Sequence, residues 1–160
     1  MADIVDTETR SRMMSGIRGK NTRPEVTLRK GLHARGFRYR LHPKTMIGRP
    51  DLVLPKYRVA VFVHGCFWHR HQGCRFTSTP ATRTEFWMAK FATNIRRDQT
   101  VVKKLSESGW RIATVWECAI KKKTRAGRSI DLLSDWIISG GAYFQIGEED
   151  LDLRTACEEL

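Results

Sequence analysis

A mixed central β-sheet flanked by helices is the fold class that the chain predicts, and three observations carry it. Short β-rich or alternating apolar blocks occur at 37–41, 51–54, 57–64 and 110–116. Two helix-opening patterns, Thr22-Arg23-Pro24-Glu25 and Thr82-Arg83-Thr84-Glu85, interrupt them. The resulting order is helix, three strands, helix, strand, helix, which is the pattern of an α/β domain. With 160 residues, 41% of them hydrophobic and 29% charged, the chain can bury one ordinary core and is not disordered wholesale.

Each element has a local reason. Residues 1–20 can form an amphipathic arm or helix with Met13, Met14 and Ile17 on one side, weakened by Gly16 and Gly19. The first capping box opens a helix that runs to about Arg35 and is stopped by Gly36. Phe37 to Leu41 alternates as a half-buried strand, and Asp51 to Leu54 and Tyr57 to His64 form a hairpin across Pro55-Lys56. Gly65 to Pro80 reads as irregular. The second capping box opens a long helix ending before Gly109, with Trp87, Phe91, Ile95, Val102 and Leu105 on one face. Trp110 to Trp116 is a buried-type strand, Lys121-Lys122-Lys123 a solvated loop, and about Ser129 to Ile138 a last helix. The expected organisation is an arm at 1–20, a main domain at 21–140 and an acidic tail at 141–160.

Charge narrows the partners. The net charge is +12, and Thr9 to Ile130 holds 28 basic against six acidic residues, while Asp131 to Leu160 carries −7. Such a central excess favours a polyanion, and nucleic-acid phosphate is the expected one. The longest apolar run, Val59 to Val63, has five residues, so no membrane span is expected. The acidic N-terminus does not read as a secretory signal, so an intracellular, cytoplasmic protein is expected.

Cys66, His71 and Cys74 form a C-x4-H-x2-C cluster. In a reducing compartment such spacing favours a structural Zn2+ over disulfides, the alternative being ordinary buried thiols. A closed site needs a fourth ligand. Cys118, just after a strand, is the first choice and His69 its competitor, while Cys157 reads as a free thiol.

A harder cation has a separate candidate place. Gly48-Arg49-Pro50-Asp51 puts a carboxylate at a strand start, next to a strand that ends Val63-His64. One carboxylate with phosphate oxygens is enough for Mg2+. His64 and His69 are bases of the neutral range. Asp98 falls on the apolar stripe of the long helix, where an inward carboxylate needs a partner such as histidine. Glu25 either only closes its capping box or also reaches the cation's water shell. His33 and His42 read as exposed or structural. Phe67-Trp68 and Phe86-Trp87 are rings on basic segments, suited to wedging between bases or to covering the core. Arg83, Lys90, Asn94 and Arg97 make a polar stripe suited to DNA or to solvent.

The runs HGCFWHRH at His64 to His71, PATRTEFW at Pro80 to Trp87, Trp116-Glu117-Cys118, Gly48 to Asp51, and Thr9-Arg10-Ser11 with Met14 closely resemble the very-short-patch mismatch repair endonucleases. The resemblance spans roughly residues 9 to 120. It implies a restriction-endonuclease-like fold of the PD-(D/E)XK class, with Phe62-Val63-His64 where that class places an acidic residue and a lysine. It also implies nicking 5′ of the T in a T:G mismatch left by deamination of 5-methylcytosine. Carried over, Asp51 and the Val63 carbonyl hold Mg2+, His69 is the general base, and His64 and Glu25 order the surrounding water. Asp98 partners a catalytic histidine. Cys66, His71, Cys74 and Cys118 hold Zn2+. Phe67, Trp68 and Trp87 form an intercalating wedge, Met14 enters from the minor groove, and Lys90 and Asn94 read the mismatch. Two departures stand out: Val63 where relatives can carry Thr, and a zinc loop one residue longer at Gln72-Gly73.

The implied partner is double-stranded DNA bound by a monomer, with mismatch-repair proteins as further partners. A restriction-type nuclease with another target, or a non-catalytic zinc-containing DNA-binding protein, are the rival readings.

Overall fold

A computed structural model describes residues 6–15 and 19–152. Along the chain lie α1 (Thr7–Ser15), α2 (Arg23–Ala34), β1 (Arg40–Leu41), β2 (Leu52–Leu54), a 3-10 turn (Pro55–Tyr57) and β3 (Val59–His64). They are followed by α3 (Cys66–His69), α4 (Thr84–Glu107), β4 (Arg111–Trp116), α5 (Glu117–Ile120), α6 (Lys123–Ser139) and β5 (Tyr143–Ile146). The strands form one mixed sheet in the order β1-β2-β3-β4-β5, with β1–β2 and β2–β3 antiparallel and β3–β4 and β4–β5 parallel. The mixed α/β class read from the sequence is what the chain adopts.

β3 shows how one apolar run builds two cores. Val59 and Val61 join Leu28 and Leu32 of α2 and Ile130, Leu133 and Ile137 of α6. Ala60 and Phe62 join Val101 and Leu105 of α4. Side chains of a strand alternate between faces, so a run with no polar interruption must be covered on both sides. Each Leu, Ile or Val so buried contributes about 1.5–3 kcal/mol.

The parallel pairing of β3 with β4 matches Val63 with Val115 and His64 with Trp116. The chain therefore leaves both strands at the same level, and two segments far apart in sequence, Gly65-Cys66 and Glu117-Cys118, emerge side by side. Beside β3, the turn before β2 is fixed by sterics. Gly48 has φ +74, and a Cβ there would stand 2.3 Å from Val101 Cγ1, so the loop leading to Asp51 packs on α4 only as glycine.

Several elements differ from the sequence reading. The 37–41 strand shrinks to Arg40–Leu41, because β2 is only three residues long and Phe37 instead packs against Tyr57. The first capping box forms, with Glu25 N–H donating to Thr22 Oγ1 at 3.4 Å. The second does not. Arg83 occupies the cap position of α4 at φ +53, and Thr84 Oγ1 donates back to the carbonyls of Pro80 and Ala81. Within the expected irregular stretch Cys66–His69 turns helical. On α4, Ile95 is exposed rather than packed with Trp87 and Phe91. The last helix starts at Lys123, because Ala126 extends the buried stripe of Ile130, Leu133 and Ile137 by one turn.

The expected tail at 141–160 contains a strand. β5 pairs with β4, residues 148–152 are helical, and Leu151 packs into the main core. Arg111 ties this edge down by donating to the carbonyls of Gly141, Ile137 and Trp136, the last two at the C-terminal end of α6. Cys157 lies outside the described residues. Among the described residues no helix is long and apolar enough to cross a membrane.

Candidate active site and metal centres

Three groups of donor side chains gather around the ends of β2, β3 and β4: Glu25, His42 and Asp51; His64, His69 and Asp98; and Cys66, His71, Cys74 and Cys118. Within each group the donor atoms lie within 4.8 Å of one another.

Asp51 immediately precedes β2, and its Oδ2 accepts the Val63 N–H at 2.7 Å. The structure thus joins Asp51 to the backbone of Val63 through the amide. Glu25 comes from the first turn of α2, buried at 4% exposure, and accepts from Asn21 N–H at 2.9 Å and Thr22 Oγ1 at 3.1 Å. It therefore serves the start of α2 and also lies beside Asp51. Burial pushes the Asp51 carboxyl up to about 7; the Val63 N–H opposes that rise and the Glu25 carboxylate adds to it. Two carboxyl groups crowded out of water are a place for a cation. His42, read from sequence as exposed or structural, stands between them, with Nε2 3.4 Å from Glu25 and Nδ1 3.8 Å from Asp51.

His64 ends β3 and His69 ends α3, and their rings stack at 3.9 Å between centroids and 5° between planes. The short helix brings this about. Gly65 caps it, His69 N–H donates to the Gly65 carbonyl at 3.0 Å, and Arg70 turns the chain at φ +55. His69 Nδ1 lies 2.6 Å from Asp98 Oδ2 of α4. The inward carboxylate of the long helix thus has a histidine partner. Burial lowers His64 to about 3, with His69 and Arg97 lowering it further against the opposing Asp98 charge, so its imidazole is neutral at physiological pH.

Cys66 and Cys118 leave their strands together, and His71 Nδ1 faces both sulfurs, at 3.7 and 3.5 Å. Cys74 completes the group. With no cation beside them, the Cys118 thiol is pushed up by its contact with Cys66 and then by burial, and the Cys74 thiol by burial. A bound dication reverses that preference and takes the thiolates.

The far side of His71 was not legible in the sequence. Its Nε2 lies 2.8 Å from Glu149, and Glu148 N–H donates to Cys118 Sγ at 3.2 Å. A Cβ on Gly147 would come within 2.5 Å of His71 Cε1, so that close approach requires glycine. Glu148 is in turn held by Arg75 and Arg125. Trp116 lies between the His71 group and the His64–His69 group, stacked on His71 at 4.3 Å and edge-on to His64 at 5.3 Å. The Trp116-Glu117-Cys118 run was a signal for it, whereas an acidic run at 148–150 was none.

The aromatic residues form a cluster on α3 and the start of α4. Phe67 contacts Trp68, Trp87 and Phe91 at 5.1–5.7 Å between centroids. Trp87, expected as a wedge ring, is only 9% exposed, while its neighbour Phe86 is 46% exposed. Position 87 shares its helix face with Phe91 and packs on Phe67, and one residue back the chain has turned about 100° toward solvent. Lys90 Nζ lies 5.2 Å from the Trp68 ring. Asn94 Nδ2 donates to the Trp68 carbonyl at 3.2 Å and its Oδ1 accepts from Arg97, so both ends of the amide face the protein. The Met14 side chain lies outside the described residues.

Residues 2–75 match the family described as DNA mismatch endonuclease Vsr. The chain is 40% identical over 155 residues to the DNA mismatch endonuclease Vsr of Escherichia coli, covering 96% of this chain and 99% of that protein. It is 46% identical over 120 residues to the type II nicking enzyme V.XorIIP of Xanthomonas oryzae, covering 75% and 88% of the two chains. With the type II nicking enzyme V.NmeAIP of Neisseria meningitidis the identity is 44% over 123 residues, covering 77% and 87%.

Proposed function

The chain belongs to the Vsr family of DNA mismatch endonucleases, and we propose that it nicks duplex DNA 5′ of the T in a T:G mismatch, as a monomer with a restriction-endonuclease-like core. The observation that carries this reading is the His69–Asp98 pair, 2.6 Å apart, together with the half-buried Asp51 and buried Glu25 carboxyl groups. A module that only binds DNA has no need of either.

Asp51 is the residue to hold Mg2+, together with the Val63 carbonyl and, through water, Glu25. When bound, Mg2+ supplies positive charge where negative charge develops on the phosphate. With Nδ1–H donated to Asp98, His69 keeps the Nε2 lone pair for the proton of the attacking water, and Asp98 stabilises the imidazolium that results. His64, neutral and stacked on His69, holds that ring in place and contributes no charge of its own near the base.

The four-residue Cys/His group fits Zn2+. A tetrahedron with Zn–S of about 2.3 Å and Zn–N of about 2.0 Å has edges of roughly 3.5–3.8 Å, and His71 Nδ1 stands 3.5 and 3.7 Å from the sulfurs of Cys118 and Cys66. Glu149 on Nε2 sets the tautomer that leaves Nδ1 free to ligate.

Phe67 and Trp68 are the rings to enter the base stack, with Trp87 as their buried support and Met14 approaching from the other groove. Lys90 and Asn94 flank the mismatch, Asn94 chiefly by holding the Trp68 backbone. A mispaired step costs less to unstack than a paired one, which selects the mismatch. The excess of basic residues between Thr9 and Ile130 supplies the salt-dependent affinity. The reading puts the protein to work on cellular DNA in the cytoplasm, with mismatch-repair proteins as proposed partners.

A strand-resolved nicking assay tests the reading. Mg2+-dependent scission of the T-bearing strand, absent on matched duplex, is expected; binding without scission on every mispaired duplex overturns it.

A further inference from the structure

The β1–β2 ladder pairs Leu41 with Leu52, so the next position places His42 opposite Asp51, where the His42 N–H reaches the Asp51 carbonyl at 3.4 Å. Directly opposed residues of an antiparallel pair share a face, which brings the imidazole beside the carboxylate. The backbone departs from the strand at this residue with φ +44, a left-handed conformation that a non-glycine residue seldom adopts. The ring stands with Nε2 3.4 Å from Glu25 Oε2 and Nδ1 3.8 Å from Asp51 Oδ1. Nε2 is buried and has no hydrogen-bond partner. An imidazole whose buried Nε2 faces the Glu25 carboxylate without a hydrogen bond, and whose Nδ1 faces Asp51, has the disposition of a ligand.

We propose that His42 supplies a nitrogen ligand to the divalent cation held by Asp51 and Glu25. The site is then a mixed imidazole–carboxylate one. The three donor atoms, within 4.8 Å of one another, leave room for one octahedral ion touched directly by Asp51 and His42 and through water by Glu25. An oxygen-only set favours Mg2+, whereas an imidazole raises affinity along the series from Mn2+ to Ni2+. The consequence is a cation centre that accepts Mn2+, Co2+ and Ni2+ in place of Mg2+ more readily than one built of oxygens alone. This inference rests on the cation site at Asp51 proposed above, and is distinguishable from it.

The test uses the zinc-loaded full-length protein and Mn2+, a hard ion that avoids the thiolate group. Mn2+ binding is followed by EPR titration, and direct nitrogen ligation by 14N modulation in pulsed EPR. Expected are a 14N signal in the wild type, its loss in His42→Gln and its retention in His64→Gln. Mn2+ affinity should fall about tenfold or more in His42→Gln, with Mg2+ affinity changed less. A wild-type spectrum without 14N modulation overturns the inference whatever the variants do, and so does a signal that survives in His42→Gln. Mn2+ binding that is lost in Asp51→Ala, but carries no His42 dependence, leaves the Asp51 site standing and removes only His42. Mn2+ binding indifferent to Asp51→Ala removes both.

Discussion

The group around His71 and the group around Asp51 lie at neighbouring strand ends and are built in opposite ways. The first uses three sulfurs and an imidazole, with Cys66, His71 and Cys118 buried, and is closed from behind by Glu149 and Glu148. The second uses carboxyl oxygens and an imidazole, with only Glu25 buried and with Asp51 and His42 part-exposed. A saturated, soft, enclosed set holds an ion for stability; an unsaturated, hard, open set leaves room for phosphate. The difference teaches how neighbouring strand ends of one sheet can carry an enclosed soft donor group and an open hard one together, with Trp116 in contact with His71 on one side and His64 on the other.

The widest separation between the two comes from removing a ligand from each. Cys118→Ser should unfold the protein at ordinary temperature, because a structural zinc contributes about 10–16 kcal/mol, against a total stability of about 5–15 kcal/mol. Asp51→Asn should fold normally and bind the mismatched duplex while losing about 10³-fold or more in nicking. Thermal melts, gel shifts and strand-resolved nicking decide both, and a folded, zinc-free Cys118→Ser protein would dissolve the distinction.

Within the reaction centre the histidine pair is divided. His69→Ala should lower the single-turnover rate about 10²–10⁴-fold, and Asp98→Asn about 10–100-fold, the effect of removing an orienting partner. Equal losses in the two would show that Asp98 does more than orient.

The pH dependence also separates the groups. Asp51 has its carboxyl raised to about 7 in the ion-free fold from an ordinary value of 3.8. Below 7 each cation bound there displaces a proton, so Mg2+ affinity should fall about tenfold per pH unit toward pH 5. In the ion-free protein, the stability that this raised carboxyl contributes is full below pH 3.8 and lost as pH climbs through about 7. Calorimetry in buffers of different ionisation heat, with Asp51→Asn as reference, reads the proton release. His64, lowered to about 3, should give no inflection between pH 5 and 8.

The smallest effect concerns the closure of the Cys/His group, on the proposal that it holds zinc. Glu149→Gln should weaken zinc about tenfold, measured by competition with a chelator, and leave nicking at saturating zinc unchanged.

Much of this site was legible because its signals are local. Cys66, His71 and Cys74 announce a ligand set within nine residues, and Asp98 announces a partner because helical periodicity turns it inward. The first capping box was readable for the same reason. The second was not, since α4 starts at Thr84 with Arg83, in a left-handed conformation, rather than Thr82 at its cap. Phe86 and Trp87 are adjacent rings of similar character, and only the packing of Phe67 and Phe91 decides which of them is covered. His42, Glu149 and β5 had no local signal at all.

Taken alone, the amino-acid order determined the alternation of apolar blocks, the mixed α/β class, the basic surface and the soft donor cluster, because each depends on residues within a turn or two of one another. Only the tertiary structure decided that Cys118 meets Cys66, that Glu149 backs His71 and that His42 faces Asp51. Those meetings follow from strand register and from which segments pack across the sheet, quantities set by the whole core at once rather than by any stretch of chain.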